Sequence, residues 1–303
     1  MHEVAHYASR MSGHLIHVGF PKTGSNFLRR WFRQHPQLAY SEGGIAGYRD
    51  VYAIAREGAA PRPDVRYRVT SSENFTAPHR DTGGEHYSYE DPFDPAAAQE
   101  HVCALLGEIF PHAHVLIVTR GFRSMIFSSY SQYIRSGAGV SLEEFVTHPL
   151  LDRPWDYDRI IGMYRNAFGA EQVVVMPYEL LRDDADRFVR TIEERLGLAH
   201  CSAASGRVNT ALTPAEMYWY PRLTRLVQRL PIGSRLKRVY LRGIFRNRFR
   251  SAIALLQRVR PGTPVTADAI PEQLIAAYRG KARTLRDNPL YAPYASEYFG
   301  SDT

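Results

Sequence analysis

The stretch that decides the fold is HVGFPKTGSNFL, residues His17–Leu28. An apolar run leads into it, and an amphipathic pattern follows it, so the stretch predicts a strand, a tight loop and a helix. A Walker A loop, G-x-x-x-x-G-K-[ST], places its lysine after the last glycine. Here Lys22 precedes Gly24, and Ser25 follows the glycine. The stretch therefore predicts a phosphate loop that differs in design from the loop that holds ATP.

The lysine of this loop is unusual because nearly every other cation of the chain is arginine. Lysine occurs at positions 22, 237 and 281 only. A lysine is a slim point charge that reaches into a closed phosphate cradle, whereas an arginine is a wide planar fork. Backbone N–H groups from Thr23 to Asn26, the Thr23 and Ser25 hydroxyls and Lys22 are expected to converge on one phosphate. The alternative is a plain strand-to-helix turn with a surface lysine.

Outward from this loop, strand and helix patterns alternate along the chain. The pattern predicts strands at 14–20, 65–75, 114–120 and 171–179. It predicts helices from Gly24 or Ser25 to the His35–Pro36 pair and at 94–110, about 122–135, 157–169 and 184–196. Such alternation predicts an α/β fold with a central parallel sheet and helices on both faces. Ligands of these sheets bind at the carboxyl ends of the strands.

A second candidate phosphate site lies where the third predicted strand ends. Arg120 ends that strand, and Ser128 follows eight residues later, about two turns into the next helix. An arginine clamps a phosphate with two hydrogen bonds, and a serine on the helix face adds a hydroxyl. The alternative is a solvated or ion-paired arginine at the end of a strand.

Three segments together resemble a known family. PKTGSNFLRRWFRQHP and VLIVTRGFRSMIFSSY resemble the 5′-phosphosulfate loop and the 3′-phosphate element of sulfotransferases that use 3′-phosphoadenylyl sulfate (PAPS). MYRNAFGAEQVVVMPYELLRDDADRFVRTIEERLGL is similar to the next block of that superfamily. The resemblance covers roughly residues 15–212 and is closest to bacterial and carbohydrate-type members. It implies a fold like that of P-loop NTPases.

The resemblance also implies roles for individual residues. Lys22 would contact the bridging oxygen and stabilise the charge that develops on the leaving 3′,5′-ADP. The other implied nucleotide ligands are Thr23, Gly24, Ser25, Asn26 and Phe27 at the 5′ end, Arg120 and Ser128 at the 3′-phosphate, and Arg207 and Asn209 in a loop that closes over the nucleotide. No metal is implied.

Sulfuryl transfer needs a base that takes the proton of the acceptor hydroxyl. Carbohydrate-type relatives use a glutamate, and two glutamates fit. Glu73, in TSSENF, falls at the carboxyl end of the second predicted strand, and Glu42, in AYSEGG, follows the first helix within a glycine-containing loop. Glu73 has the better predicted position because a strand fixes it, and Ser72 is expected to help orient the acceptor or the sulfonate.

The charge of the chain is unevenly distributed. Residues 221–260 contain twelve Lys or Arg and no Asp or Glu, so removing these twelve charges from the net +7 leaves the rest of the chain at −5. We expect residues 1–212 to form the PAPS-binding core and residues 213–303 a mostly helical, arginine-rich extension that packs on it. The basic segment has three main interpretations: solvated helix faces, contact with an anionic membrane, or contact with an anionic glycan or glycolipid acceptor. Nucleic acid is disfavoured because no recognised binding module accompanies the charge.

Other features of the composition concern the cellular compartment. Cys103 and Cys201 make neither a disulfide framework nor a metal knuckle, which favours a reducing compartment. The first residues are too polar for a signal peptide, and no apolar run approaches the roughly 18 residues of a membrane span. A cytoplasmic protein, at most peripheral at the membrane, is expected.

The function expected from the sequence is sulfuryl transfer from PAPS to a hydroxyl of a carbohydrate or glycolipid. The first alternative is a P-loop nucleotide kinase or NTPase, which the position of the lysine disfavours. The second is a basic protein without enzymatic activity that binds membrane or nucleic acid through residues 221–260.

Overall fold

The structure is a computed structural model that describes residues 13–40, 64–76, 95–147, 155–202 and 211–300. Three candidate site residues, Glu42, Arg207 and Asn209, lie outside these ranges. The chain divides into two compact units that are interleaved in sequence. We call the parts within 1–121, 153–208 and 281–303 the sheet unit, and those within 122–152 and 209–280 the helical unit.

Five parallel strands form the central sheet of the sheet unit. They are β1 (Gly13–Gly19), β2 (Leu38–Tyr40), β3 (Tyr67–Ser72), β4 (His114–Thr119) and β5 (Val173–Pro177), in the order β2-β3-β1-β4-β5. Val18 pairs with Ser72 of β3, and Gly19 pairs with Val118 of β4. The carboxyl ends of the three central strands therefore lie level at one edge. The predicted α/β fold with a parallel sheet is confirmed.

Helices connect and follow the strands. In the sheet unit they are α1 (Ser25–Gln34), α2 (Pro95–Ile109), α5 (Tyr157–Phe168), α6 (Tyr178–Asp183), α7 (Ala185–Leu196) and α12 (Ala295–Tyr298). In the helical unit they are α3 (Phe122–Arg135), α4 (Leu142–Val146), α8 (Pro214–Arg229), α9 (Ser234–Phe245), α10 (Arg250–Val259) and α11 (Glu272–Arg279).

Helices cover both faces of the sheet. On one face, Trp31 and Phe32 of α1 and Phe188 of α7 pack with Leu15 and Met176 in a single buried cluster. On the other face, α2 packs against α5, and α5 packs against β4 and β5. Since successive residues of a strand point to opposite faces, strands covered on both sides read as continuous apolar runs.

The ends of the helices follow local signals in the sequence. Asp156 and Asp184 cap α5 and α7 by accepting from the backbone N–H groups three residues on. Gly197, with φ 64°, ends α7 in the left-handed conformation that glycine adopts at low cost. Thr213 and Glu216 form a reciprocal capping box at the start of α8, as their spacing predicts.

The structure differs from the sequence prediction at several element boundaries. The strand predicted at 65–75 ends at Ser72, and Glu73–Phe75 forms a 3₁₀ turn. The strand predicted at 171–179 ends at Pro177, which has no N–H to continue the ladder, and α6 begins with Tyr178. The basic segment forms the end of α8, then α9 and α10, because Pro231 and Gly233 interrupt the helical pattern.

The two units do not follow the single boundary predicted near residue 212. Residues 122–152 group with the C-terminal helices, and residues 281–303 group with the sheet unit. Tyr291 and Tyr298 of this last segment are fully buried. Their hydroxyls lie within hydrogen-bond distance of Thr119 at the end of β4, which fixes the segment around Tyr291 and Tyr298 to the sheet.

Candidate active site

The predicted phosphate loop joins β1 to α1 at the carboxyl edge of the sheet. Two of its residues have positive φ, 72° at Lys22 and 90° at Gly24. A Cβ atom at Gly24 would lie 2.4 Å from Leu181 Cδ2, so both the backbone conformation and the close packing require glycine there. At Lys22 the left-handed conformation costs about 1–2 kcal/mol, a strain that the surrounding structure must offset.

The loop presents a set of hydrogen-bond donors. The backbone N–H groups from Thr23 to Asn26 have no acceptor among the described residues, as expected at a helix N-terminus. The Ser25 hydroxyl is buried and also has no partner in the part of the chain that the structure describes. Unpaired N–H groups and the helix dipole together favour an anion at this position.

The Thr23 hydroxyl has a role that differs from the predicted one. It is fully buried and donates to the Phe20 carbonyl at 2.7 Å. Its only proton is thereby engaged within the loop, so Thr23 offers a ligand its backbone N–H. Ser25 is left as the hydroxyl donor of the loop.

Arg120 follows directly after β4 and contacts the loop. Its Nη1 donates to the Lys22 carbonyl at 2.8 Å, and its guanidinium carbon lies 4.6 Å from the centre of the Tyr178 ring. The Tyr157 hydroxyl donates to the Arg120 carbonyl at 2.6 Å. The arginine thus connects the end of β4 to the strained lysine of the loop and is held by two tyrosines.

A buried carboxyl fixes the turn that follows Arg120. Glu179 of α6 accepts from the Gly121 N–H at 2.9 Å and from the Tyr298 hydroxyl at 2.7 Å. Its side chain is fully buried, and this desolvation raises the pKa of the carboxyl. Glu179 therefore links the C-terminal segment to the backbone next to Arg120.

A buried histidine lies beneath the loop. His17 Nδ1 is 2.8 Å from the Ser71 hydroxyl, while its Nε2 has no partner among the described residues. A Cβ atom built on Gly19 would lie 3.1 Å from Ser25 Oγ and 3.4 Å from His17 Nε2, so these two unpaired atoms flank the same backbone position. Burial, and secondarily the charge of Arg29, lower the pKa of His17 to about 3.

Glu73 lies at the predicted edge of the sheet, but in the 3₁₀ turn after β3 rather than in the strand. Its carboxylate is 3.4 Å from Nη2 of Arg29, which lies one turn into α1. Thr76 donates to the Gly19 carbonyl at 2.7 Å and to the Glu73 carbonyl at 3.3 Å, which ties the turn to the end of β1. The side chain is 34% exposed, so the carboxylate is accessible from solvent.

The remaining predicted nucleotide ligands are on helices. Asn26 is exposed and its side-chain oxygen accepts from Arg29 at 3.4 Å, and Phe27 is half-buried against the core. Ser128 is half-buried in α3 of the helical unit. Its role stays a prediction from the sequence.

Sequence analysis missed several residues of this site, namely Arg29, Tyr157, Tyr178, Glu179 and His17. Tyr178 and Glu179 were visible as a polar pair after an apolar strand, which was a usable signal. Arg29 and His17 gave no local signal, because their roles depend on contacts with residues more than forty positions away.

The described ranges show neither a metal-binding cluster nor a membrane-spanning helix. These ranges contain no group of three or more His, Cys, Asp or Glu side chains arranged to hold a metal ion. No helix within them combines the length and the apolar character needed to span a membrane.

Comparisons with known proteins complete the description of the site. The sequence profile of the sulfotransferase family matches residues 15–201. A sulfotransferase from Alicyclobacillus acidocaldarius is similar at 19% identity over 66% of this chain and 87% of that one, with a TM-score of 0.47. Mouse sulfotransferase SULT7A1 complexed with PAP is similar at 12% identity over 67% of this chain and 66% of that one, with a TM-score of 0.41. No curated protein matches the chain.

Proposed function

The chain belongs to the sulfotransferase family and is a sulfotransferase, and from this premise we propose that it transfers a sulfuryl group from PAPS to a hydroxyl of a carbohydrate or glycolipid. The binding of PAPS is supported by one observation. The backbone N–H groups from Thr23 to Asn26 and the buried Ser25 hydroxyl have no hydrogen-bond partner among the described residues. Every group in this set can donate a hydrogen bond, which fits the acceptor oxygens of a 5′-phosphosulfate.

PAPS, when bound, supplies an activated sulfuryl group. Lys22 would place its ammonium group against the oxygen that leaves with 3′,5′-ADP, where negative charge increases as the S–O bond breaks. Its left-handed backbone, held by Arg120, fixes the direction from which this charge acts. Ser25 would donate to the 5′-phosphosulfate, which gives its buried hydroxyl the partner that it lacks among the described residues.

Arg120 is the proposed ligand of the 3′-phosphate, and Ser128 the second one. A guanidinium carries five N–H donors, and Nη1 of Arg120 donates to the Lys22 carbonyl. In the proposed complex the 3′-phosphate accepts from the guanidinium as well. Stacking on Tyr178 and the hydrogen bonds of Tyr157 restrict its position, which reduces the entropy lost when a ligand binds.

Glu73 is the proposed base that takes the proton of the acceptor hydroxyl as its oxygen attacks sulfur. Two observations support it: the carboxylate stands at the same sheet edge as the loop, and its neighbour Arg29 holds it near α1. The carbohydrate or glycolipid acceptor rests on the resemblance to carbohydrate-type relatives alone.

The test is sulfuryl transfer from radiolabelled PAPS to a panel of hydroxylated glycans, glycolipids and small phenols. We expect labelled glycan or glycolipid and no labelled phenol. Glu73→Gln should lower kcat by about 10²–10⁴-fold, while Glu42→Gln, the matched control, should leave kcat nearly unchanged. Labelled phenol alone would contradict the acceptor class, and the opposite ranking of the two variants would make Glu42 the base.

A further inference from the structure

The exposed apolar side chains of this protein are concentrated in one segment. Among the described residues, the large apolar side chains that are exposed all lie between positions 226 and 259, with exposed fractions from 41% to 78%. They are Leu226, Leu230, Leu236, Val239, Phe245, Leu255 and Val259. Scattered exposed leucines are ordinary on protein surfaces, but seven large apolar side chains exposed within 34 consecutive residues favour an interaction surface.

The same segment carries cations without anionic partners. Of the twelve Lys or Arg residues in the slightly wider range 221–260, Arg225 and Arg250 form ion pairs with Glu144 and Glu216. Eight arginines form no ion pair with any carboxylate that the structure describes. These are Arg229, Arg235, Arg238, Arg242, Arg246, Arg248, Arg258 and Arg260. Among the described residues, the positive charge of these eight arginines is therefore not balanced by a carboxylate contact.

Helix α9 shows that the two kinds of side chain share one surface. Besides Ser234, its exposed residues are three arginines and three apolar residues: Arg235, Leu236, Arg238, Val239, Arg242 and Phe245. Ile244 is fully buried and anchors the helix to the rest of the helical unit. The cations and the apolar side chains thus stand beside each other rather than on separate faces.

We propose that this basic and apolar surface, formed by the exposed side chains of residues 226–260, docks on an anionic lipid bilayer. Arginines bind lipid phosphates, and each contributes about 1 kcal/mol near an anionic surface. The leucine, valine and phenylalanine side chains enter the boundary between headgroups and acyl chains, where their apolar area leaves water. The enzyme would then act on an acceptor at a membrane.

The composition of the surface favours an anionic bilayer over two other partners, a second copy of the chain and a soluble polyanion. A second copy of the chain would oppose like charges, because residues 221–260 contain no Asp or Glu. A soluble polyanion, such as a sulfated glycan or a nucleic acid, would pair with the arginines but leave the exposed apolar side chains in water. An anionic bilayer satisfies both kinds of side chain.

The experiment is co-sedimentation of the full chain with vesicles of phosphatidylcholine alone or with about one third phosphatidylglycerol. We expect binding to the anionic vesicles, little binding to the neutral ones, and weaker binding as salt is raised. The combined variant R235Q/R238Q/R242Q should lower the partition coefficient by about a hundredfold. The matched control R187Q/R190Q/R195Q removes the same charge from α7 and should lower it much less.

A second variant separates lipid from other anions. L236S/V239S/F245S keeps every charge, so it should weaken vesicle binding at least tenfold while leaving binding to heparin unchanged. Circular dichroism confirms that each variant is folded. Three results would each overturn the proposal. They are an equal loss of vesicle binding in both arginine variants, full vesicle binding by the serine variant, and a dimer that forms in place of a vesicle complex. None of these results depends on PAPS, so failure here leaves the proposed function untouched.

Discussion

The two units of the chain differ in how far their polar side chains are paired with partners among the described residues. In the sheet unit, polar groups near the strand ends are paired within the unit: Arg120 with Lys22, Glu179 with Gly121 and Tyr298. In the helical unit, eight arginines lack carboxylate partners among the described residues, and apolar side chains stand exposed beside them. The pairing in the sheet unit holds a site with a few unpaired donors in place, whereas the helical unit presents the surface that we propose docks on an anionic bilayer.

The largest expected effect contrasts a buried with an exposed apolar residue. Trp31 of the sheet unit is fully buried, and Leu236 of the helical unit is 60% exposed. Trp31→Ala should lower the free energy of unfolding by about 3–5 kcal/mol, whereas Leu236→Ala should change it by less than about 0.5 kcal/mol. Urea unfolding followed by circular dichroism measures both. A large loss with Leu236→Ala would mean that the exposed side chain stabilises the fold and is not reserved for a partner.

Lys22 tests the preorganised site directly. Lys22→Ala removes the charge that stabilises the leaving phosphate, so kcat should fall by about 10²–10³-fold. Lys281→Ala is the matched control, because it removes one of the few other lysines from the same unit. Steady-state transfer from PAPS measures both variants. A Lys22→Ala enzyme with unchanged kcat would exclude the lysine from the transition state.

Removal of the hydrogen bond to the buried carboxyl of Glu179 is expected to have a smaller effect on stability than Trp31→Ala. Tyr298→Phe removes a donor from fully buried Glu179 and should cost about 1–3 kcal/mol of stability. Tyr294→Phe is the control, since the Tyr294 hydroxyl makes no hydrogen bond to the described residues. Thermal unfolding at fixed pH compares the two. Equal changes would show that Tyr298 contributes by packing and not through its hydroxyl.

The lowered pKa of buried His17 predicts how the stability of the fold changes with pH. The pKa of His17 is lowered to about 3 in the folded chain, from 6.5 in the unfolded one. Between these values the unfolded chain binds a proton that the folded chain does not, so stability falls as the pH falls. His17→Gln should reduce this slope by up to about 1.4 kcal/mol per pH unit. Ser71→Ala keeps the imidazole and should retain the slope; a slope unchanged by His17→Gln would contradict the assignment.

The sequence predicted the parts of the fold that depend on local signals. The apolar runs of β1, β4 and β5 and the helix at 184–196 were predictable, because each depends on a few adjacent residues. The short strand β2 was missed, since three residues carry no periodicity. The interleaving of the two units was also missed, because it depends on contacts between distant segments.

The candidate site was predictable to a similar extent. The loop, Arg120 and Glu73 were placed correctly at one edge of the sheet, because parallel strands bring their carboxyl ends together. The engagement of Thr23 with Phe20, the support of Lys22 by Arg120 and the ion pair of Glu73 with Arg29 were not predictable. These depend on side-chain orientation, which residue spacing alone does not specify.

The most direct test of the sheet-unit site is calorimetric titration with 3′,5′-ADP, beside 5′-AMP, on the wild type and Arg120→Ala. We predict micromolar binding of 3′,5′-ADP, and binding of 5′-AMP that is at least about tenfold weaker because it lacks the 3′-phosphate. Arg120→Ala should bind 3′,5′-ADP as weakly as the wild type binds 5′-AMP. A folded wild-type protein that binds neither nucleotide would contradict the assignment of the unpaired loop donors to a 5′-phosphosulfate.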